Sequence, residues 1–75
     1  MAEQKTICIA GATGLAGAYA VREALRRGHN VHATARDINR AHRLYEFPGA
    51  VGRLRLFEAH AERPESFAAP LVGAD

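Results

Sequence analysis

The stretch KTICIAGATGLAG, residues 5–17, decides the fold of this chain. Residues 5–10 are mostly apolar and rich in β-branched side chains, and they end at a glycine. This profile is typical of a strand that is buried on both faces in a parallel sheet. Gly11, Gly14 and Gly17 follow at equal spacing, which predicts a glycine-rich turn directly after the strand.

The residues after the glycine turn have the spacing of a helix. The apolar ones recur largely at steps of three and four residues, and the charged ones fall mostly on the opposite side. The apolar set consists of Leu15, Ala18, Tyr19, Val21 and Leu25. A basic pair followed by Gly28 is typical of a helix that ends on a glycine C-cap. We therefore expect the first helix over about residues 14–27, with Tyr19 as a packing residue.

The remainder of the chain continues the alternation of strands and helices. Residues 30–35 and 53–58 are candidates for a second and a third strand. Residues 38–47 are weakly helical until Pro48-Gly49 breaks them, and residues 64–72 are a short helix candidate. The pattern predicts an α/β chain: a partial Rossmann-type doubly wound fold, with about three parallel strands in the order 3-2-1 and flanking helices.

Composition restricts the partners of this chain. It has 75 residues, of which 24% are charged, and a net charge of only +2. The basic residues are scattered, so nothing indicates a nucleic-acid partner. No apolar run approaches ~18 residues, so we expect no membrane span. The polar start of the chain shows no secretory signal, which makes the cytoplasm the expected location.

The histidines and the cysteine do not suggest a metal site. His29 and His32 lie three residues apart, but no second pair of ligands is near them in the sequence. The single cysteine, Cys8, excludes an intrachain disulfide and a zinc knuckle. We expect Cys8 to be a buried strand residue and the chain to bind no metal.

A strand, a glycine-rich turn and a helix together form a site for an anion. The first N–H groups of a helix have no partner within it, and the helix dipole adds positive potential at the same end. A pyrophosphate satisfies both, provided that no side chain blocks its approach. Gly11 would permit the tight turn, Gly14 the approach of the phosphates, and Gly17 close packing of the helix on the strand. Thr13 would add a hydroxyl donor.

We therefore expect a dinucleotide cofactor at this turn. The candidate residues are Gly11, Thr13, Gly14, Leu15 and Gly17. Their glycines are spaced G-x-x-G-x-x-G rather than G-x-G-x-x-G as in the standard fingerprint. The alternative is a turn of purely structural purpose.

Arg36 bears on the choice of cofactor. A carboxylate at the end of the second strand normally binds the adenosine ribose and favours NAD, but here an arginine comes first. A guanidinium pairs with a 2′-phosphate through bonds worth roughly 1.5–3 kcal/mol, which favours NADP. Arg40, a turn further on, would assist. Asp37 would bind the ribose, so NAD stays an alternative cofactor. The other alternative is that Arg36 and Asp37 form a solvated turn.

Together these residues resemble the extended short-chain dehydrogenase/reductase family, and especially its dihydroflavonol reductase and cinnamoyl-CoA reductase branch. The matching segments are residues 11–17, 31–37, 48–50 and 53–56, with looser matches at 66–67 and 73–75. The resemblance implies an NADP-dependent reductase of carbonyl substrates, with Arg36 and Arg40 on the 2′-phosphate.

Two departures from the family pattern matter. The family usually carries Ala-Asp-Leu after the third strand, and its aspartate meets the adenine, whereas this chain has Ala59-His60-Ala61. His60 is either a donor or stacking partner for the adenine or an exposed histidine without function. The family also uses a catalytic Tyr-x-x-x-Lys pair, but Tyr19 and Tyr45 lack the lysine four residues on.

The resemblance thus implies that residues 1–75 are the N-terminal half of a dinucleotide-binding domain and hold no catalytic residue. The alternatives are an NAD(P)-sensing module without turnover and a structural fragment with little cofactor affinity. Without a fourth strand, the first strand would lie on an open edge. We therefore expect self-association through that strand.

Overall fold

The computed structural model describes residues 3–74, so Asp75 of the loosely matching segment 73–75 lies outside the described residues. Strands and helices alternate along the chain. In order they are β1 (Thr6–Ile9), α1 (Leu15–Arg26), β2 (Asn30–Ala35), α2 (Ile38–Ala41), β3 (Leu54–Glu58) and α3 (Ala68–Leu71). A 3-10 turn at His42–Glu46 extends α2, and another at Pro64–Phe67 precedes α3.

The three strands form one parallel sheet in the order β1-β2-β3. β2 lies in the middle, with Cys8 of β1 opposite His32 and Phe57 of β3 opposite Thr34. This is the predicted order 3-2-1 counted from the other edge. The α/β class, the parallel sheet and the strand order are therefore confirmed.

The core lies between α1 and the sheet, and it corrects the predicted apolar face of the helix. Val21, Ala24 and Leu25 are the buried residues of α1. Leu15 and Tyr19 are instead 93% and 62% exposed. Each residue advances a helix by roughly 100°, so Tyr19 lies roughly 200° from Val21 and points away from the sheet. Tyr19 is therefore not the packing residue that its hydrophobicity suggested.

β1 is less buried than its sequence predicted. All four of its residues, Cys8 among them, are only half-buried. Among the described strands β1 pairs with β2 alone, so its other edge is uncovered. Partial burial still raises the pKa of the Cys8 thiol above its ordinary value. The expectation of a fully buried Cys8 was wrong because the strand lies at the edge of the sheet.

The short helix α3 is attached to the middle strand by a buried histidine. His32 Nδ1 lies 2.9 Å from the carbonyl oxygen of Pro70. A carbonyl only accepts hydrogen bonds, so Nδ1 carries the proton and donates it to this bond. The His32 ring also packs at a tilt against Phe57, with 5.3 Å between the ring centroids. Within residues 3–74, no helix is long and apolar enough to cross a membrane.

Arg53 connects the start of β3 to the end of α1. Its Nη2 donates to the carbonyl of Leu25 at 2.9 Å, and its Nη1 donates to the carbonyl of His29 at 3.0 Å. Leu25 lies in the last turn of α1, where the helix dipole favours a positive charge. The guanidinium therefore ties the helix terminus to the third strand.

We expect Arg53→Ala to lower the free energy of unfolding by about 1.5–3 kcal/mol, since both charge-assisted bonds to carbonyls are lost. Arg55→Ala is the matched control. The Arg55 guanidinium lies 5.5 Å from the centre of the Phe57 ring, a contact worth about 0.5–1 kcal/mol at an exposed site. Urea unfolding followed by circular dichroism measures both losses. Equal losses in the two variants would contradict the role of Arg53.

Candidate functional site

The glycine turn is held against the middle strand by Thr34. The backbone N–H of Gly11 donates to Thr34 Oγ1 at 3.3 Å, and the N–H of Ala12 donates to the Thr34 carbonyl at 2.9 Å. Thr34 is 2% exposed, and Gly11 has a φ of 67°, which favours glycine. Sequence reasoning missed Thr34. Its one signal was a hydroxyl within a buried strand, where such a group needs a partner.

Gly17 and Gly14 have different surroundings. A Cβ on Gly17 would overlap the carbonyl oxygen of Gly11 and lie 2.9 Å from the Cα of Ala12. A Cβ on Gly14 would meet only the Gly11 carbonyl oxygen, at an ordinary contact of 3.5 Å. Helix α1 therefore packs on the turn as closely as its backbone permits at Gly17, whereas the space beside Gly14 is open.

The start of α1 has the chemistry of an anion site. Gly14 is the N-cap and makes no side-chain hydrogen bond, and the first turn carries no acidic residue. The first backbone bond of the helix runs from the N–H of Ala18 to the carbonyl of Gly14 at 2.8 Å. The amides of Leu15, Ala16 and Gly17 come before that bond and point out of the helix end. A pyrophosphate therefore fits the open space at Gly14.

Two clefts border the glycine turn, and they separate the two predicted arginines. A cleft of about 470 Å³ is lined by residues of the glycine turn and α1 and by residues between 40 and 47, namely Thr13, Gly14, Leu15, Ala18, Arg40, Arg43, Leu44, Glu46 and Phe47. A second cleft, of about 310 Å³, is lined by Gly11, Thr34, Ala35, Arg36, Ala59, Ala61 and Phe67. Arg36 and Arg40 thus line different clefts, although both clefts touch the glycine turn.

Arg36 forms an ion pair with Glu62, a residue that the sequence did not single out. Its Nη1 donates to Glu62 Oε2 at 3.0 Å, and its Nη2 lies 3.0 Å from Glu62 Oε1. A hydrogen bond from its own backbone N–H and the Arg36 guanidinium hold the pKa of the Glu62 carboxyl below its ordinary value. Glu62 lies 26 residues further along the chain, so no local pattern indicated the pair.

Asp37 and His60, which were also predicted as site residues, likewise contact neighbouring residues. The Asp37 carboxylate caps α2 by accepting the N–H of Asn39 at 3.0 Å. His60 Nε2 lies 3.2 Å from Glu58 Oε2, and its Nδ1 lies 3.8 Å from Glu62 Oε1. In the sequence, His60 lies between Ala59 and Ala61, which both line the smaller cleft. Within residues 3–74, no group of three or more His, Cys, Asp or Glu side chains is placed to hold a metal.

A parallel sheet with a glycine turn at the start of its first helix defines a nucleotide-binding class of protein. The chain belongs to the NAD dependent epimerase/dehydratase family, whose model matches residues 7–69. This match and the relatives below confirm the resemblance to the extended short-chain dehydrogenases/reductases and to their dihydroflavonol reductase and cinnamoyl-CoA reductase branch.

Several relatives of this chain are named as reductases. It is 37% identical to dihydroflavonol 4-reductase of Gerbera hybrida over 91% of its own length and 19% of that protein. It is 39% identical to cinnamoyl-CoA reductase 1 of Oryza sativa subsp. japonica, over 95% and 22%. The crystal structure of vestitone reductase from alfalfa superposes with a TM-score of 0.85 and 32% identity, over 95% and 23%. The fold is therefore Rossmann-like, and the chain spans about a fifth of the length of these relatives.

Gly17→Ala and Gly14→Ala form a matched pair of variants. We expect Gly17→Ala to lower the free energy of unfolding by at least about 2 kcal/mol, because the overlapping atoms belong to the backbone and cannot rotate away. Gly14→Ala should cost less than about 1 kcal/mol, since its extended backbone accepts alanine at an N-cap. Denaturant unfolding of both variants tests this. A Gly17→Ala variant as stable as the parent would show that the helix can shift.

Proposed function

We propose that this chain is the cofactor-binding segment of an NADP-dependent carbonyl reductase, and that residues 1–75 are the N-terminal half of its dinucleotide-binding domain. The observation that carries the proposal is the open, uncapped start of α1 at Gly14, together with a cleft that reaches the same glycine turn at Gly11 and is lined by Arg36. A dinucleotide contains both groups: its pyrophosphate would bind at the start of α1, and its adenosine would bind in the cleft. The reductases among the relatives support the reaction class.

In this proposal the pyrophosphate binds at the glycine turn. Gly11 allows the turn, Gly14 leaves room for the phosphates, and Gly17 holds the helix close. Thr13 offers its hydroxyl, and Leu15 offers the first amide of α1. The positive end of the helix dipole then faces a negative charge, which stabilises the bound cofactor.

The adenosine binds in the smaller cleft, and Arg36 selects its 2′-phosphate. The cleft walls are small at Ala35, Ala59 and Ala61, and Phe67 adds an apolar ring. These residues suit a flat adenine base, with His60 beside it as a donor or stacking partner. Because Arg36 also lines this cleft, its guanidinium would reach an adenosine bound there.

The residues near the expected position of the adenosine ribose favour NADP over NAD. The Asp37 carboxylate already accepts a backbone N–H at the start of α2, so it is less available to the ribose hydroxyls that NAD would offer. Arg40 lines the other cleft, next to Thr13, and supplies a second positive charge near the turn. NAD remains the alternative cofactor if Asp37 binds the ribose.

We expect Arg36→Ala to weaken NADP binding about tenfold to a hundredfold and to leave NAD binding within about twofold, because only NADP carries the 2′-phosphate. Arg22→Ala, which removes an equal charge from the exposed side of α1, should change neither affinity. Calorimetric titration of both cofactors measures these values. An unchanged affinity for NADP in Arg36→Ala would remove the 2′-phosphate assignment. No binding of either cofactor by the parent chain, confirmed by a second method, would leave only a structural role.

We also propose that the chain self-associates through β1. Among the described strands only β2 pairs with β1, so the outer edge of β1 has no strand beside it, and Ile7, Cys8 and Ile9 are half-buried. Such an edge pairs readily with a strand of another copy. β1 contains no charged residue to prevent this.

Sedimentation tests the self-association. We expect a concentration-dependent dimer in the parent chain and in Cys8→Ser, which excludes a disulfide as its cause. Cys8→Lys should yield a monomer, because a charge on an edge strand opposes strand pairing. A parent chain that stays a well-folded monomer at high concentration would overturn the proposal.

A further inference from the structure

The guanidinium of Arg36 and the carboxylate of Glu62 meet edge to edge. Each terminal nitrogen of the arginine has its own carboxylate oxygen, at 3.0 Å in both cases. The Nη1 contact is a hydrogen bond and the Nη2 contact is an ion-pair distance, so both carboxylate oxygens face the guanidinium edge with which arginine also binds other planar anions. Arg36 lines the cleft that the proposed function assigns to the adenosine, and both side chains of the pair are exposed.

A 2′-phosphate would need the same edge of Arg36. Two phosphate oxygens match the guanidinium in the same way as two carboxylate oxygens, so the two anions compete for one pair of donors. They also repel each other when both are close to Arg36. The lowered pKa of the Glu62 carboxyl means that this group is charged at neutral pH.

The loop that carries Glu62 is fixed, but the Glu62 carboxylate is not. Ser66 Oγ accepts the backbone N–H of His60 at 2.9 Å and donates to the carbonyl of Arg63 at 2.6 Å. His60 and Arg63 also form an antiparallel bridge on either side of Glu62. The exposed carboxylate contacts Arg36, its own backbone N–H and, at 3.8 Å, His60, and exposed ion pairs of this kind contribute little to stability. A phosphate can therefore displace Glu62 without unfolding the loop.

We propose that Glu62 is a specificity-determining residue, an internal anion that occupies Arg36 and lowers the preference of this site for NADP over NAD. This inference rests on the proposed function, because it requires a dinucleotide in the cleft. Glu62 weakens the binding of NADP and not that of NAD, since NAD has no 2′-phosphate to bind the Arg36 donors. The opposite role, in which Glu62 positions Arg36 for the phosphate, predicts the opposite change in affinity.

The experiment compares NADP and NAD affinities of the full chain and of Glu62→Gln, which keeps the shape of the side chain and removes its charge. We expect Glu62→Gln to bind NADP about threefold to tenfold more tightly and NAD within about twofold of the parent value. Glu65→Gln is the matched control, because it removes an equal charge from the following 3-10 turn. It should leave both affinities unchanged.

A double-mutant cycle shows whether the effect passes through Arg36. In an Arg36→Ala background, Glu62→Gln should no longer tighten NADP binding, because the competed group is absent. Thermal unfolding of each variant checks that the fold is intact.

The possible failures are distinct. If the parent chain binds NADP and Glu62→Gln binds it equally or more weakly, the inference is wrong and the proposed function stands. If Glu65→Gln tightens NADP binding as much as Glu62→Gln does, the effect is one of general charge and the inference is also wrong. If neither the parent nor any variant binds NADP or NAD, the proposed function fails, and the inference fails with it.

Discussion

The close approach of helix α1 to the glycine turn is the constraint on which the rest of the site depends. Gly17 brings the helix so near the Gly11 carbonyl that a single added carbon would overlap it. The turn in turn cannot move away, because Thr34 of the middle strand holds the N–H groups of Gly11 and Ala12. A sheet, a turn and a helix are thereby fixed together within one hydrogen-bonded unit. The exposed start of the helix is a consequence of that packing, and it is the place of the anion site that we propose.

The second part of the site is the cleft that is lined by Arg36, and charged side chains lie around it. Arg36 follows the middle strand and lines a cleft of small side chains, where in the proposed function its guanidinium pairs with a phosphate. Carboxylates also gather at this end of the sheet, with Glu58 and Glu62 on either side of His60. The cofactor preference of such a site is a difference between attraction to Arg36 and repulsion by its acidic neighbours. One arginine in the sequence is therefore an incomplete guide to that preference.

The sequence predicted the elements with strong local patterns and failed where burial depended on distant partners. The three strands, the first helix and the glycine at its end follow from hydrophobic spacing and turn residues, and their positions agree within one or two residues. Tyr19 looked like a core residue because it is apolar and lies at helical spacing from Leu15. Both are exposed, since the helix turns the side that carries Val21, Ala24 and Leu25 to the sheet. β1 looked fully buried, but burial of a strand also depends on what lies beside it.

The sequence alone determined the α/β alternation, the strand order and the location of the glycine turn, because these depend on residues that are neighbours along the chain. Tertiary structure decided which side chains meet. Thr34 and Gly11 are 23 residues apart, Arg36 and Glu62 are 26 apart, and Arg53 and Leu25 are 28 apart. Each pair is a polar contact with no periodic signature, formed only when the parallel sheet brings the ends of its strands together. The glycine turn could therefore be located from the sequence, whereas the carboxylate that pairs with Arg36 could not.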